Sequence, residues 1–322
     1  MTRRRRVVIT RLGGPEVLRV DTDDAPRPGP GQVRIRVAAA GVARADLLMR
    51  AGRYPGRTPT PPFTPGWDAT GVVDAVGPDV PARWRDRRVV ALTLTGGHAS
   101  HVCAPAAGVV ELPDTLQGYA AACLPLNYVT AYELLHQVAR VRPGERVLVH
   151  GAAGGVGTAL LELGHLHGAE MHGVAAPRDH PLIEEYGAEP VHRARAGPTR
   201  ADVVFDMVGG VTLRDSWRSL HPAGRLVSYG FLASRASPPG DLLRLRLWDA
   251  LPNGRHAAFY RLSSSARRHP ERIRATLERL VGKLAEGRLR PRITACIPLD
   301  EPAKAHLATD DGASRGKVLL LP

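Results

Sequence analysis

The pattern of apolar and polar positions changes character once along the chain. From Arg6 to about Ala120 the apolar residues come in short runs divided by Gly and Pro: Val7–Thr10, Val17–Val20, Val33–Ala39, Gly71–Val76, Arg88–Leu94, His101–Ala104 and Val109–Glu111. Alternation sets Val33, Ile35 and Val37 on one face and Arg34 and Arg36 on the other, the period of a half-buried strand. Helical spacing shows only at Arg44–Arg50, ahead of a Pro-dense loop from Tyr54 to Pro65. From Tyr119 onward, helices alternate with apolar strands: helix Asn127–Val138, strand 147–150, helix 155–167, strand Glu170–Ala175, helix 181–186, strand Ala201–Asp206, helix 212–219 and strand Arg225–Tyr229. That order predicts a doubly wound parallel sheet with helices on both faces, so the class is α/β. Pro270 to Glu286 reads as one more amphipathic helix, with Ile273, Leu277, Leu280, Val281 and Leu284 on one side. Strand, helix and strand follow, ending in Val318–Leu321, and are expected to rejoin the first half.

The most informative stretch is Arg146-Val-Leu-Val-His-Gly-Ala-Ala-Gly-Gly-Val-Gly157. A buried strand breaks into small residues and a helix follows, with Leu160, Leu161, Leu163 and Leu166. Gly151, Ala152, Gly154, Gly155, Val156 and Gly157 then form a tight turn whose backbone N–H groups can approach a pyrophosphate, a dinucleotide fingerprint.

Composition narrows the class. The 322 residues suffice for two domains, and 43% hydrophobic content is that of an ordinary globule. A formal charge of +13 would suit nucleic acid if it were clustered. The arginines are instead spread along the whole chain, apart from Arg3–Arg6, which reads as a solvated edge; a nucleic-acid partner is not expected. No leader peptide or membrane span is read, and Cys103, Cys123 and Cys296 follow no metal-like spacing, so reduced thiols in a cytoplasmic protein are expected.

Taken together, Gly13-Gly-Pro-Glu-Val-Leu18, Pro28-Gly-Pro-Gly-Gln-Val33, Ala40-Gly-Val42 with Asp46, Pro65-Gly-Trp-Asp-Ala-Thr-Gly71, Leu124-Pro125 with Thr130-Ala-Tyr132, the 151–157 turn, Asp206-Met-Val-Gly-Gly210 and Arg315-Gly-Lys317 resemble the medium-chain dehydrogenase/reductase superfamily, in its zinc-free quinone oxidoreductase and enoyl reductase branch. The resemblance implies a GroES-like catalytic domain formed by both chain ends (1–121 and 268–322) around a central Rossmann domain (122–267). It also implies a homodimer. The positions that match the catalytic zinc ligands of alcohol dehydrogenases carry Ala43, Trp67 and Leu126, none of them a ligand, so no metal is expected. What remains is hydride transfer to a quinone or to an alkene conjugated with a carbonyl, a small-molecule substrate.

The strand from Glu170 ends in Ala175-Ala176, where an NAD enzyme would carry an acid for the ribose hydroxyls, and Arg178 follows. An arginine fork suits a 2′-phosphate, which favours NADPH. Arg193 is a second candidate phosphate contact. By resemblance, Tyr54 is the candidate proton donor, with a pocket-shaping tyrosine as the alternative. Ala43, Trp67, Asn127 and Tyr128 are expected to line the substrate pocket. Thr130, Val208, Gly209, Gly230, Phe231 and Lys317 are expected at the cofactor. At most one of His98 and His101 should face the cleft. Seven residues separate Arg193 from Ala201, short for a parallel crossover, so an extended loop or a different strand order is required. The Pro238-Pro-Gly240 loop and Leu242–Leu251 are the expected places for specificity and a partner-facing surface. The competing reading is a protein that keeps the cofactor site but turns over little, acting through a partner or nucleic acid.

Overall fold

The structure is a computed structural model that describes residues 2–56, 58–116, 118–192, 200–231, 238–310 and 315–322. It divides into two compact units, Met1–Val129 with Ser263–Pro322, and Thr130–Leu262.

The first unit opens with an antiparallel ribbon of β1 (Arg3–Ile9) and β2 (Leu18–Asp24). Its register sets basic residues against acidic ones. Arg4 and Arg6 both hold the Asp23 carboxylate, at 2.7 and 2.8 Å, and Arg3 meets Asp24 at 3.2 Å. The Arg4 hydrogen bond, foremost, holds the Asp23 carboxyl below its ordinary range. The arginine cluster at the start of the chain is therefore spent largely on the neighbouring strand, and each exposed pair contributes little to stability.

A second sheet contains β3 (Gln32–Val42), β4 (Asp68–Val76), β5 (Arg88–Leu92), β6 (His101–Pro105) and β7 (Val109–Glu111). Its alternating Val33, Ile35 and Val37 pack with Val73, Val89 and Val102 in one core, as the two-residue period requires.

The central unit is a six-stranded, all-parallel sheet of β8 (Arg146–His150), β9 (Glu170–Ala175), β10 (Glu189–His192), β11 (Ala201–Asp206), β12 (Leu220–Ser228) and β13 (His256–Phe259), in the order β10-β9-β8-β11-β12-β13. Sequence direction reverses between β8 and β11, the switch point of a doubly wound sheet. Because β10 lies at one edge and β11 beside β8, the two strands joined by the short link are not neighbours. Residues 193–199 of that link, Arg193 among them, lie outside the described residues.

The chain returns through helix Pro270–Ala285, β14 (Ile293–Pro298), helix Pro302–Asp310 and β15 (Lys317–Leu321). β15 pairs antiparallel with β3 over Ala40–Val42, while β6 pairs with the earlier part of β3, so that one long strand serves two partners in turn.

Several elements differ from the sequence expectation. The unit boundaries fall at 129/130 and 262/263 rather than 121/122 and 267/268, since Ala122 packs with Ala39 and Leu319. Where a loop at Pro238–Gly240 was expected, helix Pro238–Asp249 begins. It turns Leu245 inward and leaves Leu243 and Leu247 exposed. Strand β13 and helix Leu262–Arg268 carry too little periodicity to be foreseen. The helix expected over Asn127–Val138 runs from Leu124 and widens twice into five-residue turns, as in Val129 N–H to Leu124 O and Ala139 N–H to Leu134 O. Among the described residues no helix is long and apolar enough to cross a membrane.

Candidate active site

In the first unit a hollow of about 540 Å³ is lined by Met49, Tyr54, Pro59, Trp67, Thr93, Leu94, Thr95, Ser263 and Arg267, a size suited to a small organic ligand. Tyr54 meets Trp67 edge to face, ring centroids 5.6 Å apart, and its hydroxyl lies 3.5 Å from Ser263 Oγ. Trp67 is buried, and its indole N–H has no hydrogen-bond partner among the described residues.

The wall around Trp67 is fixed from three directions. Gly66 has φ +106°, and a Cβ there would stand 2.3 Å from the His98 backbone nitrogen, so only glycine fits. Thr93 and Leu94 both donate their N–H to Trp67 O, at 2.8 and 3.1 Å, while Thr93 Oγ1 donates to Gly66 O. This tie holds Leu94 at φ +63°, a left-handed backbone uncommon for a branched residue. Asp46, fully buried, accepts from Ala43 N–H at 2.9 Å and from Gly66 N–H at 2.8 Å. One carboxylate thus clamps the stretch at Ala43 to the stretch at Trp67. Burial raises the Asp46 carboxyl above its ordinary range, opposed by His98 and by those two N–H groups.

A second carboxylate works beside it. Asp68 accepts from Gly41 N–H at 2.6 Å and pairs with the Lys317 ammonium at 2.7 Å, with both side chains out of solvent. Lys317, expected at the cofactor, is therefore committed to Asp68. His98 and His101 are both buried: His98 Nε2 contacts Gly41 O, and His101 faces Asp74 at 3.5 Å. Neither lines the hollow.

Behind this wall, Arg50 donates to His306 Nδ1 at 3.0 Å, and the His306 ring meets His98 edge to face at 6.0 Å. A guanidinium only donates, so Nδ1 is the acceptor and the imidazole is neutral. Burial, His98 and Arg50 all hold His306 well below its ordinary 6.5. As pH falls through 6.5 the unfolded chain takes up a proton that the folded one refuses, so stability is full above 6.5 and declines below it, by up to about 1.4 kcal/mol per pH unit. Urea unfolding between pH 5 and 8 is expected to show this slope, and His306→Gln to reduce it.

In the central unit the strand-to-helix turn has the expected form. The helix Gly155–Leu166 starts at Gly154 with no side-chain cap, which leaves its first N–H groups open to an anion. A Cβ on Gly157 would lie 2.3 Å from Gly151 O, so the close turn depends on that glycine. Ala152 is buried under the turn, and Thr130 is buried on the preceding helix. At the carboxyl end of β11, Asp206 Oδ1 accepts from Val208 and Gly209 N–H at 2.7 and 2.9 Å and Oδ2 accepts from Ser216, fixing that loop. Gly230 and Phe231 follow β12; Phe231 stacks on Phe259 at 4.9 Å. Past β9, Ala175 and Ala176 offer no carboxylate, and Arg178 is exposed beside Asp179. These features suit a dinucleotide carrying an extra phosphate. Asn127 and Tyr128 are buried in the first unit but do not line the hollow; Ala43 lies behind its wall. Ser263, Arg267 and the 93–95 segment have no local sequence signal that could have placed them there.

Family models agree with both parts of this arrangement. One described as an alcohol dehydrogenase GroES-like domain matches residues 29–114, and one described as a zinc-binding dehydrogenase matches 179–320. The chain is 33% identical to the mouse synaptic vesicle membrane protein VAT-1 homolog over 98% of this chain and 83% of the relative, and 32% identical to human quinone oxidoreductase over 98% and 97%. A mycobacterial protein solved in complex with NADPH superposes with a TM-score of 0.86 at 30% identity, covering 99% of this chain and all of that one. The chain belongs to the medium-chain dehydrogenase/reductase superfamily, in its quinone oxidoreductase-like branch. It is an oxidoreductase of the medium-chain dehydrogenase/reductase type. Despite the wording of the second family model, no group of three His, Cys, Asp or Glu among the described residues is placed to hold a metal.

Proposed function

We propose that this protein is an NADPH-dependent reductase that needs no zinc and delivers hydride to a quinone or an α,β-unsaturated carbonyl compound. The observation that carries the reading is the hollow itself. Tyr54 and Trp67 stand in its wall, Trp67 at a position where zinc-bearing relatives have a ligand and an indole offers none, and two carboxylate clamps brace that wall.

NADPH fits the uncapped turn at 154–157 and the Arg178 side of β9, and it supplies the hydride when bound. The chain's own residues do the rest. Met49, Leu94 and Trp67 exclude water from the reacting carbons. The Tyr54 hydroxyl gives a proton to the α-carbon of an enone as the β-carbon is reduced, and is reprotonated from solvent. A quinone acceptor makes less demand on this step, because its reduced oxygens can take protons from water. Strand β13, an edge of its sheet within the unit, is the surface on which a second copy would pair to form a homodimer. The nucleic-acid reading gains nothing from Arg3–Arg6, whose charges face Asp23, Asp24 and Asp300.

Fluorescence titration with NADPH and NADH, followed by NADPH oxidation with a panel of enones and quinones, tests the reading. NADPH is expected to bind at least about tenfold tighter than NADH, and Arg178→Gln to remove most of that preference. Absence of turnover across the panel would count against a reductase.

A further inference from the structure

The hollow has an apolar floor of Met49, Pro59, Trp67 and Leu94, and hydroxyls at Tyr54, Thr93, Thr95 and Ser263. Among the described residues one charged group lines it, the guanidinium of Arg267 on the helix Leu262–Arg268, and no carboxylate does. Several arginines elsewhere in the chain are held by acids. Arg4, Arg6, Arg34, Arg225 and Arg244 are each paired with an Asp or Glu, whereas Arg267 has neither an ion pair nor a hydrogen bond among the described residues. An exposed guanidinium left unpaired beside an apolar cavity keeps its five donors available for a planar anion, which it can hold through two parallel hydrogen bonds.

We propose that Arg267 selects substrates that carry an anionic group, a carboxylate or a phosphate, at the end of the molecule away from the reacting double bond. The substrate class is then an enone or quinone with an acidic appendage. Its apolar body lies over Trp67 and Leu94, and its anion lies at Arg267 with Ser263 as a neighbouring hydroxyl. Neutral analogues enter the same hollow but leave the guanidinium to water. This proposal rests on the reductase reading for the reacting group, though not for the anion contact.

The probes are 4-carboxybenzylideneacetone and its methyl ester, which differ only in the remote charge. Dissociation constants are measured by quenching of tryptophan fluorescence in the full-length protein with saturating NADP⁺, where no turnover occurs. The acid is expected to bind about tenfold tighter than the ester at low salt, the modest end for a charge-assisted contact because the guanidinium faces solvent. Arg267→Gln should bring the ratio of the two constants close to one, Arg267→Lys should restore part of it, and raising the salt should shrink it. A phosphonate in place of the carboxylate distinguishes the two anions. Equal affinity for acid and ester in the native protein, or a preference that survives in Arg267→Gln, overturns the proposal. NADPH oxidation with the same compounds is scored separately. Acid selectivity without turnover would sink the reductase reading and leave the anion site standing.

Discussion

Lys317→Met is expected to destabilise the first unit by about 3–5 kcal/mol, the loss typical when one partner of a buried ion pair is removed. The pair spans 2.7 Å, with Lys317 2% and Asp68 0% exposed. Neither charge has water to fall back on, and deleting the ammonium leaves a carboxylate whose other oxygen is already bound to Gly41 N–H. Urea unfolding followed by circular dichroism reads the loss directly. The double variant Asp68→Leu with Lys317→Met removes both charges and is expected to recover much of the stability, because an apolar pair of similar volume avoids the desolvation cost. A single Lys317→Met variant as stable as the native protein would mean that water reaches Asp68.

The other large effect concerns chemistry. Tyr54→Phe is expected to lower kcat/KM for enones by about a hundredfold or more, within the range for loss of a general acid. The phenyl ring keeps the edge contact with Trp67, so the hollow retains its shape and the substitution isolates the hydroxyl. NADPH affinity should not change. Quinone reduction should fall far less, since protons reach oxygen from water, and the ratio of enone to quinone rates is therefore the diagnostic quantity. If both substrates keep their native rates, the proton comes from water and Tyr54 only shapes the cavity.

The parallel sheet was legible because its signals are local. Ala201–Asp206 is an apolar run of strand length, and Gly151–Gly157 breaks a strand into a helix with residues that allow close approach. Helix Pro238–Asp249 was hidden by Leu243-Arg-Leu-Arg-Leu247, whose period of two imitates a strand, and its inward contact is reduced to Leu245 and few others. Strand β13, His-Ala-Ala-Phe, has no β-branched residue and is held by pairing with β12. Among the site residues, Tyr54 and Trp67 were each singled out in the sequence, and their rings meet edge to face at 5.6 Å. The partnership of Asp68 with Lys317 bridges 249 positions, and that of Tyr54 with Ser263 bridges 209. No window of sequence contains either. Arg267 sits among other arginines and is set apart by its place at the hollow, which no local pattern announces.

The return of β15 to β3 also dictates an order of events during synthesis. Asp68 leaves the ribosome early, while its counter-ion emerges 249 residues later, after roughly 10–50 s at ordinary elongation rates. The central unit, continuous in sequence, can close in that interval. The catalytic unit cannot neutralise its buried carboxylate until residue 317 arrives. Through this interval the nascent chain has to keep Asp68 hydrated, and the sheet that carries the pocket is completed last.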